Sequence, residues 1–240
     1  MQASESGNAQ AEVEAVDRVI RARKTSKLML EPDNKGESAV VWTEEQAKAL
    51  RTMVEGAAWA PFHKRADEQV HRQGVLDSVV PWRFHVLEPA ACRSLMQFLQ
   101  RQSDNQPDSK WSRAWQSKIK NMLAACGALV QATWLPDPGA EGQSPELSAN
   151  NIEHIAASGA AIQNLLLAAE ARGWSSYWSS GGILRDEEVF DHLGIGRNEV
   201  LLGSLFLAPA VVTDSKLIPG GLRDQRGPVE GWARWVTLAD

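Results

Sequence analysis

Arg23, Thr25 and Lys27 alternate in a segment that leaves a helix. In an extended chain, residues two apart point the same way, which would set two cations and a hydroxyl on one face. Arginine offers a planar fork to two phosphate oxygens and lysine a compact point charge, so this trio could clamp a phosphate. The surrounding run, Arg21-Ala22-Arg23-Lys24-Thr25-Ser26-Lys27, also reads as a solvated helix C-terminus whose cations answer the helix dipole. A second stretch, Ser175-Ser176-Tyr177-Trp178-Ser179-Ser180-Gly181-Gly182, puts small residues after an aromatic strand. Backbone N–H groups exposed in such a turn can approach a planar heterocycle closely; an ordinary strand-to-helix turn has the same composition.

Other routes to chemistry are poorly supported. No GxGxxG follows a strand and no GxxxxGK[ST] occurs, which argues against a dinucleotide fold and a P-loop. HExxH and GxSxG are absent, and the 5 histidines are too scattered for a metal cage. The 2 cysteines, Cys92 and Cys126, form no CxxC pair, which excludes a disulfide scaffold and fits a reducing compartment. A net charge of -5 and a pI near 5.6 argue against a general nucleic-acid surface. No uninterrupted apolar run reaches the ~18 residues of a membrane span. Met1 to Glu14 lacks the apolar region of a secretory signal. A soluble, cytoplasmic protein without membrane or nucleic-acid partners is expected. There are 10 Trp against 1 Tyr, and Trp is enriched in cores, at subunit interfaces and where flat ligands are buried.

The elements that must position these residues follow from periodicity. With 240 residues, 43% hydrophobic and 23% charged, the chain can build a core, most simply in one domain. Residues 1–13 read as a flexible acidic lead and 14–240 as the domain. Val13, Val16, Val19 and Ile20 predict a first helix. Thr43 with Gln46 predicts a capping box opening a helix that ends before Pro61. Residues 62–80 read as irregular, 81–87 as a strand, Pro89 to Gln100 and Trp111 to Met122 as helices, and 128–135 as an apolar strand. Ser148 to Arg172 is the strongest helix, with Ile152, Ile155, Ala156, Gly159, Ile162, Gln163, Leu166 and Ala169 on one face. Apolar nearly all round, it is expected to be buried on all sides, against a second subunit as well as its own sheet. Gly173 should end it. A short strand to Trp178, a helix to Leu193, a strand over 200–207 and a loop-rich tail complete an α+β pattern.

In this order the chain resembles the FMN-dependent nitroreductase family, over roughly residues 14 to 238 and in the short single-domain form. Arg23-Lys24-Thr25-Ser26-Lys27 is similar to the family's N-terminal Arg-x-Ser-x-Arg/Lys flavin motif. Trp59-Ala60-Pro61-Phe62-His63-Lys64 and Pro81-Trp82-Arg83-Phe84 resemble its Ala-Pro…Gln-Pro-Trp-Arg-Phe segment. Ser158 to Ala169 is close to its dimer helix, Gly173 to Gly182 to its Gly-x-x-x-x-Trp turn, Leu193-Gly194-Ile195 to its Leu-Gly-Ile, and Arg223 to Trp235 to its closing Arg-x-Pro…Trp pattern. The resemblance implies a mostly antiparallel sheet flanked by helices in an intertwined homodimer, with FMN at the subunit interface. Arg23, Lys24, Thr25 and Lys27 would then hold the phosphate, ribityl chain and pyrimidine edge, and Arg226 or Arg223 would add a second phosphate cation. Trp59 and His63 would reach the flavin from the partner subunit. Trp178, Ser179, Ser180 and Gly181 would line the isoalloxazine, with a backbone N–H near N5, and Gln163 of the long helix joins the cofactor-binding set. No side-chain nucleophile is needed, because the flavin carries the redox chemistry and the protein tunes it, here through Lys27 beside the charge of the reduced ring. NAD(P)H would give a hydride to N5 and leave, and an acceptor would stack in the same slot, which predicts ping-pong kinetics.

Two departures bear on the substrate. The family's Asn/Gln before Pro-Trp is Val80 here, which has no side-chain donor, so His63 or an inserted residue substitutes or the contact is lost. The stretch between Lys64 and Pro81 is a charged insertion (Arg65, Asp67, Glu68, His71, Arg72, Asp77), either a lid or solvated surface. The leading expectation is an NAD(P)H-dependent reductase of nitroaromatics, quinones or similar acceptors. The alternatives are a flavin-dependent dehydrogenase or dehalogenase of one metabolite, and a non-catalytic flavin-binding protein.

Overall fold

The computed structural model describes residues 2–30, 42–67, 76–138, 148–209 and 215–237. In chain order the elements are α1 (Gln2–Ala22), β1 (Ser26–Leu30), α2 (Glu44–Ala57), β2 (Trp82–Leu87), α3 (Pro89–Asn105), α4 (Lys110–Ala114), α5 (Lys120–Ala125), β3 (Ala128–Trp134), α6 (Ala149–Glu170), β4 (Ser175–Ser179), α7 (Glu187–Leu193), β5 (Val200–Ala208) and β6 (Ser215–Pro219). Strands β2-β3-β5-β4 form an antiparallel sheet, and β1-β6 a two-stranded antiparallel one. A parallel bridge from Thr25 to Ser176 joins the two.

Helices cover both faces of the larger sheet. Leu50, Met53 and Ala57 of α2 and Ala161, Leu165 and Ala169 of α6 pack with Val130, Ala132 and Leu205 on one face. Leu95 and Leu99 of α3, Met122 of α5 and Val189 of α7 pack with Leu129 and Phe206 on the other. Strand β3 is buried along its whole length, which explains its near-continuous apolar run. The α+β arrangement and the two-faced cover agree with the sequence pattern. The Thr43–Gln46 capping box is formed in both directions, and Gly173 takes the left-handed conformation (φ +72°) that turns the chain from α6 into β4.

Four expectations need correction. The first helix starts at Gln2 and takes in the acidic lead. The tail contains a strand, β6, pairing Ser26↔Pro219 to Leu30↔Ser215; its five residues show little alternation, and Pro219 is tolerated because it ends an edge strand. The helix over 110–125 is interrupted by a π-helical turn at Trp115–Ile119. The buried face of α6 consists of Asn151, His154, Ala157, Ser158, Ala161, Ile162, Leu165, Leu166 and Ala169, whereas Ile152 and Ala156 are exposed and Gly159 and Gln163 half-buried. Small residues all round left the hydrophobic pattern too flat to orient this helix. In the single chain α6 is therefore not buried on all sides.

At the rim where β2 starts and β3 ends, a polar network closes the sheet. Glu199, just before β5, accepts from His85 Nε2 at 2.7 Å and from the Thr133 hydroxyl. Burial alone would raise the Glu199 carboxyl, but the bonds from His85 and Thr133 outweigh it and hold the group below its usual range. A carboxyl depressed on folding adds stability above its unfolded value, about 4.3, and that stability is lost as pH falls through the folded value. Urea midpoints measured from about pH 5 down to about 3 should therefore fall less steeply for Glu199→Gln than for the unaltered protein; parallel slopes would show that Glu199 is not linked to folding.

Candidate functional site

The end of α1, the start of β1, the end of β4 and the segment after β6 converge on a cleft of about 510 Å³. Arg23, Lys24, Thr25, Lys27, Tyr177, Trp178, Arg223 and Arg226 line it, together with Gly220 and Gly221. Strand pairing explains the convergence. The β1–β6 ladder brings residues 220–226 back beside residues 23–25, and the Gly220 N–H donates to the Thr25 carbonyl at 2.8 Å. A Cβ on Gly220 would stand 3.2 Å from the Thr25 Cβ, so the absence of a side chain permits this approach.

The cleft is strongly cationic. Burial first, then repulsion from Arg226 and Arg223, holds the Arg23 guanidinium below its ordinary range, opposed in part by Glu170 at the end of α6. Arg223 donates to the carbonyl oxygens of Ala22, at 3.3 Å, and Arg21, which the end of α1 leaves without helical partners. Among the described residues no hydrogen bond or ion pair engages Arg226. The two arginines thus differ: Arg223 closes α1, and Arg226 has no such partner among the described residues. Lys27 Nζ lies 5.0 Å from the centre of the Tyr177 ring, a cation–π contact that holds the ammonium at the cleft wall.

Trp178 is positioned by a β-bulge. The β3–β5 register shifts at Ala132/Thr133, so Leu202 has no opposite residue on β3. Its carbonyl accepts instead from the Trp178 indole N–H at 3.1 Å. The indole lies across Gly203, where a Cβ would fall 2.0 Å from Nε1. Gly181 is in the left-handed region (φ +96°), and its N–H donates to Ser179 Oγ at 3.2 Å.

The residues expected around one ligand are therefore gathered in part. Arg23, Lys24, Thr25, Lys27, Trp178, Arg223 and Arg226 line a single cleft, and Ser179, Ser180 and Gly181 continue directly from Trp178. Gln163 is half-buried on the open stripe of α6, two turns before Glu170. Trp59, 86% exposed, and His63 project beyond the end of α2 and do not line the cleft of their own chain. Val80 packs against the core, and its carbonyl, with those of Ser78 and Trp82, accepts from Arg83 at 2.6–2.7 Å. Arg83 thereby fixes the backbone before β2. Of the charged insertion, Glu68, His71 and Arg72 lie outside the described residues. The roles of Gly203, Gly220 and Tyr177 were not read from the sequence; the Gly220-Gly221 pair was the one signal of a close backbone approach. Among the described residues no helix is long and apolar enough to cross a membrane, and no group of side chains could hold a metal ion.

Residues 46–208 match the model of the Nitroreductase family. No curated protein matches the sequence. Among solved structures, the chain is similar to a nitroreductase-like family protein from Bacillus cereus, with 20% identity, TM-score 0.60, and 92% of this chain and 95% of that one covered. It is similar to a nitroreductase with bound FMN from Desulfitobacterium hafniense DCB-2, with 17% identity, TM-score 0.51, and 93% and 98% covered. The FMN-dependent nitroreductase NfnB from Mycobacterium smegmatis, in complex with NADPH, is 15% identical, with TM-score 0.54 and 94% and 99% covered.

The packing around Trp178 can be tested directly. Gly203→Ala should displace the indole from Leu202 and destabilise the protein by about 1–3 kcal/mol, the usual range for overpacking. Denaturant unfolding measures the loss, and unchanged stability would contradict the close packing of Trp178 on Gly203.

Proposed function

The chain belongs to the nitroreductase family, and from that premise we propose that it is an FMN-dependent oxidoreductase. In this reading it takes a hydride from NAD(P)H and passes it to a nitroaromatic, quinone or similar electron-poor acceptor. The observation that carries the proposal is the crowding of Arg23, Arg223 and Arg226 in one cleft beside Tyr177 and Trp178. Three guanidinium groups held together repel one another, and a bound phosphate would offset that repulsion while accepting hydrogen bonds from Arg23 and Arg226. A planar ring system needs an apolar wall next to that anion site, and Trp178 supplies one.

Bound FMN supplies the hydride acceptor and donor; the chain's residues bind, orient and tune it. Arg23 and Arg226, with Lys24 at the cleft mouth, take the phosphate. Thr25 and Lys27 would hold the ribityl chain and pyrimidine edge, and the Lys27 ammonium would stabilise negative charge there. Trp178, Ser179, Ser180 and Gly181 line the isoalloxazine. With no other catalytic side chain required, NAD(P)H and acceptor share one slot in turn, and the kinetics are ping-pong. The NADPH complex of the M. smegmatis relative supports a nicotinamide reductant.

A second copy of the chain completes the site. On α6 the stripe Ile152, Ala156, Gly159 and Gln163 is open, and a Cβ on Gly159 would meet nothing within 4 Å, which suits close approach of a partner helix. Trp232 and Trp235 in the tail are 69% and 76% exposed. Among the described residues no strand pairs with the outer edge of β2, which suits addition of a strand from a partner's tail. In such an intertwined homodimer Trp59, His63 and Gln163 face the partner's flavin. Cys92 and Cys126 are buried free thiols, in keeping with cytoplasmic residence.

The purified protein should show oxidised-flavin absorption bands that bleach when NADH or NADPH is added under nitrogen. Bands that persist would contradict the reductase reading. Arg226→Ala should weaken FMN binding about 10- to 100-fold, as for loss of a charged hydrogen bond, without lowering the melting temperature of the flavin-free protein. Arg223→Ala should also lower the melting temperature, since it uncaps α1. Unchanged FMN affinity in Arg226→Ala would overturn its assignment to the phosphate.

A further inference from the structure

Strand β3 carries a glutamine, Gln131, at the middle of the sheet, fully buried between Val130 and Ala132. A buried amide is unfavourable unless its donors and acceptor are satisfied, and an aliphatic residue would fill this strand without that requirement. The two hydrogen-bond partners of Gln131 lead to one place. Its Nε2 donates to the Leu184 carbonyl at 3.0 Å, and its Oε1 accepts from the hydroxyl of Ser204 on β5, also fully buried. Leu184 belongs to the 3₁₀ turn Gly182–Arg185, and its own N–H donates to the Gly181 carbonyl at 3.1 Å. One chain of hydrogen bonds thus runs from Ser204 through Gln131 and Leu184 to Gly181.

The far end of that chain is closely constrained. A Cβ on Gly181 would stand 2.5 Å from Leu201 Cδ2 and 3.4 Å from Ser204 Oγ, so the backbone of this turn lies against β5, beside the same Ser204 that bonds Gln131. Gly182 follows, also at positive φ (+56°), with Ile119 Cδ1 3.6 Å from its missing Cβ. Two successive glycines in the left-handed region would leave the turn free to adopt other conformations. The Gln131 amide selects one of them from the core.

We propose that Gln131, supported by Ser204, is the positioning residue of the flavin turn: it holds the Leu184 carbonyl, and through Leu184 the Gly181 backbone, at the height where residues 179–181 meet the isoalloxazine. This rests on the assignment of that turn to FMN, but the device is a property of the protein alone. The arginine cluster would still anchor the phosphate without it, so Gln131 governs how the ring is held and not whether the cofactor binds at the arginines.

The test compares the full-length protein with Gln131→Leu and Ser204→Ala, flavin-free and loaded with FMN. In flavin-free Gln131→Leu, amide hydrogen exchange over residues 179–186 should quicken about 3- to 10-fold, as for one lost hydrogen bond, with α2 and α6 unchanged. Ser204→Ala should do the same to a smaller extent, because the Gln131–Leu184 bond remains. In the loaded protein the fine structure of the visible flavin bands should blur in the same order. Wild-type exchange over 179–186 in both variants would overturn the proposal. If Gln131→Leu fails to fold, Ser204→Ala decides alone by the same exchange measurement. If the unaltered protein binds no FMN, the functional reading fails, and the exchange data still decide whether Gln131 holds the turn.

Discussion

The mutual repulsion of Arg23, Arg223 and Arg226 is the constraint around which one edge of this molecule is organised. Three like charges share a cleft, the first partly buried and held below its ordinary range by burial and by the other two. Such an arrangement opposes folding unless the backbone enforces it. Here the enforcement is visible: α1 ends beside the tail so that Arg223 can satisfy its last carbonyls, the β1–β6 ladder returns residues 220–226 to the start of β1, and Gly220 lets the two backbones touch. A small added sheet, attached to the main one by the bridge at Thr25 and Ser176, thereby concentrates charge at one place. Glu170, at the end of α6, opposes that repulsion in part.

Beside that charged edge, the sheet supplies rigidity. Successive irregularities on β5 are used in turn: the bulge at Leu202 leaves a carbonyl for the Trp178 indole, Gly203 gives the indole a flat seat, and Ser204 ties into the Gln131 network. The aromatic wall and the glycine turn are therefore held by neighbouring residues of one strand. The cationic cluster and the packed indole are built by separate parts of the fold, and they meet at Trp178, which lines the same cleft as the arginines.

Much of this was legible in the residues before the fold was seen. The spacing of Arg23, Thr25 and Lys27 pointed to one face, and all three line one cleft, joined by Lys24 because residues 23–24 are not yet in the strand. The capping box at Thr43 and the turn at Gly173 were local signals with local causes, and both appear as read. What escaped was non-local. Strand β6 is defined by its partner β1 more than by its own five residues. The orientation of α6 depends on which of several small-residue stripes meets the sheet, and periodicity alone does not choose among them. Gln131 read as one polar residue in an apolar strand, because its partners are 53 and 73 residues away.

The central claim, that the cleft is a phosphate site continued by a ring platform, is tested most directly by titrating the flavin-free protein with FMN and with riboflavin, which share the ring and differ in the phosphate. Flavin fluorescence reports both affinities. FMN should bind about 100-fold or more tightly than riboflavin, with the difference shrinking as salt is raised, since two or more charged hydrogen bonds are at stake. Equal affinities at low salt would contradict the account, leaving the arginine cluster without its anion.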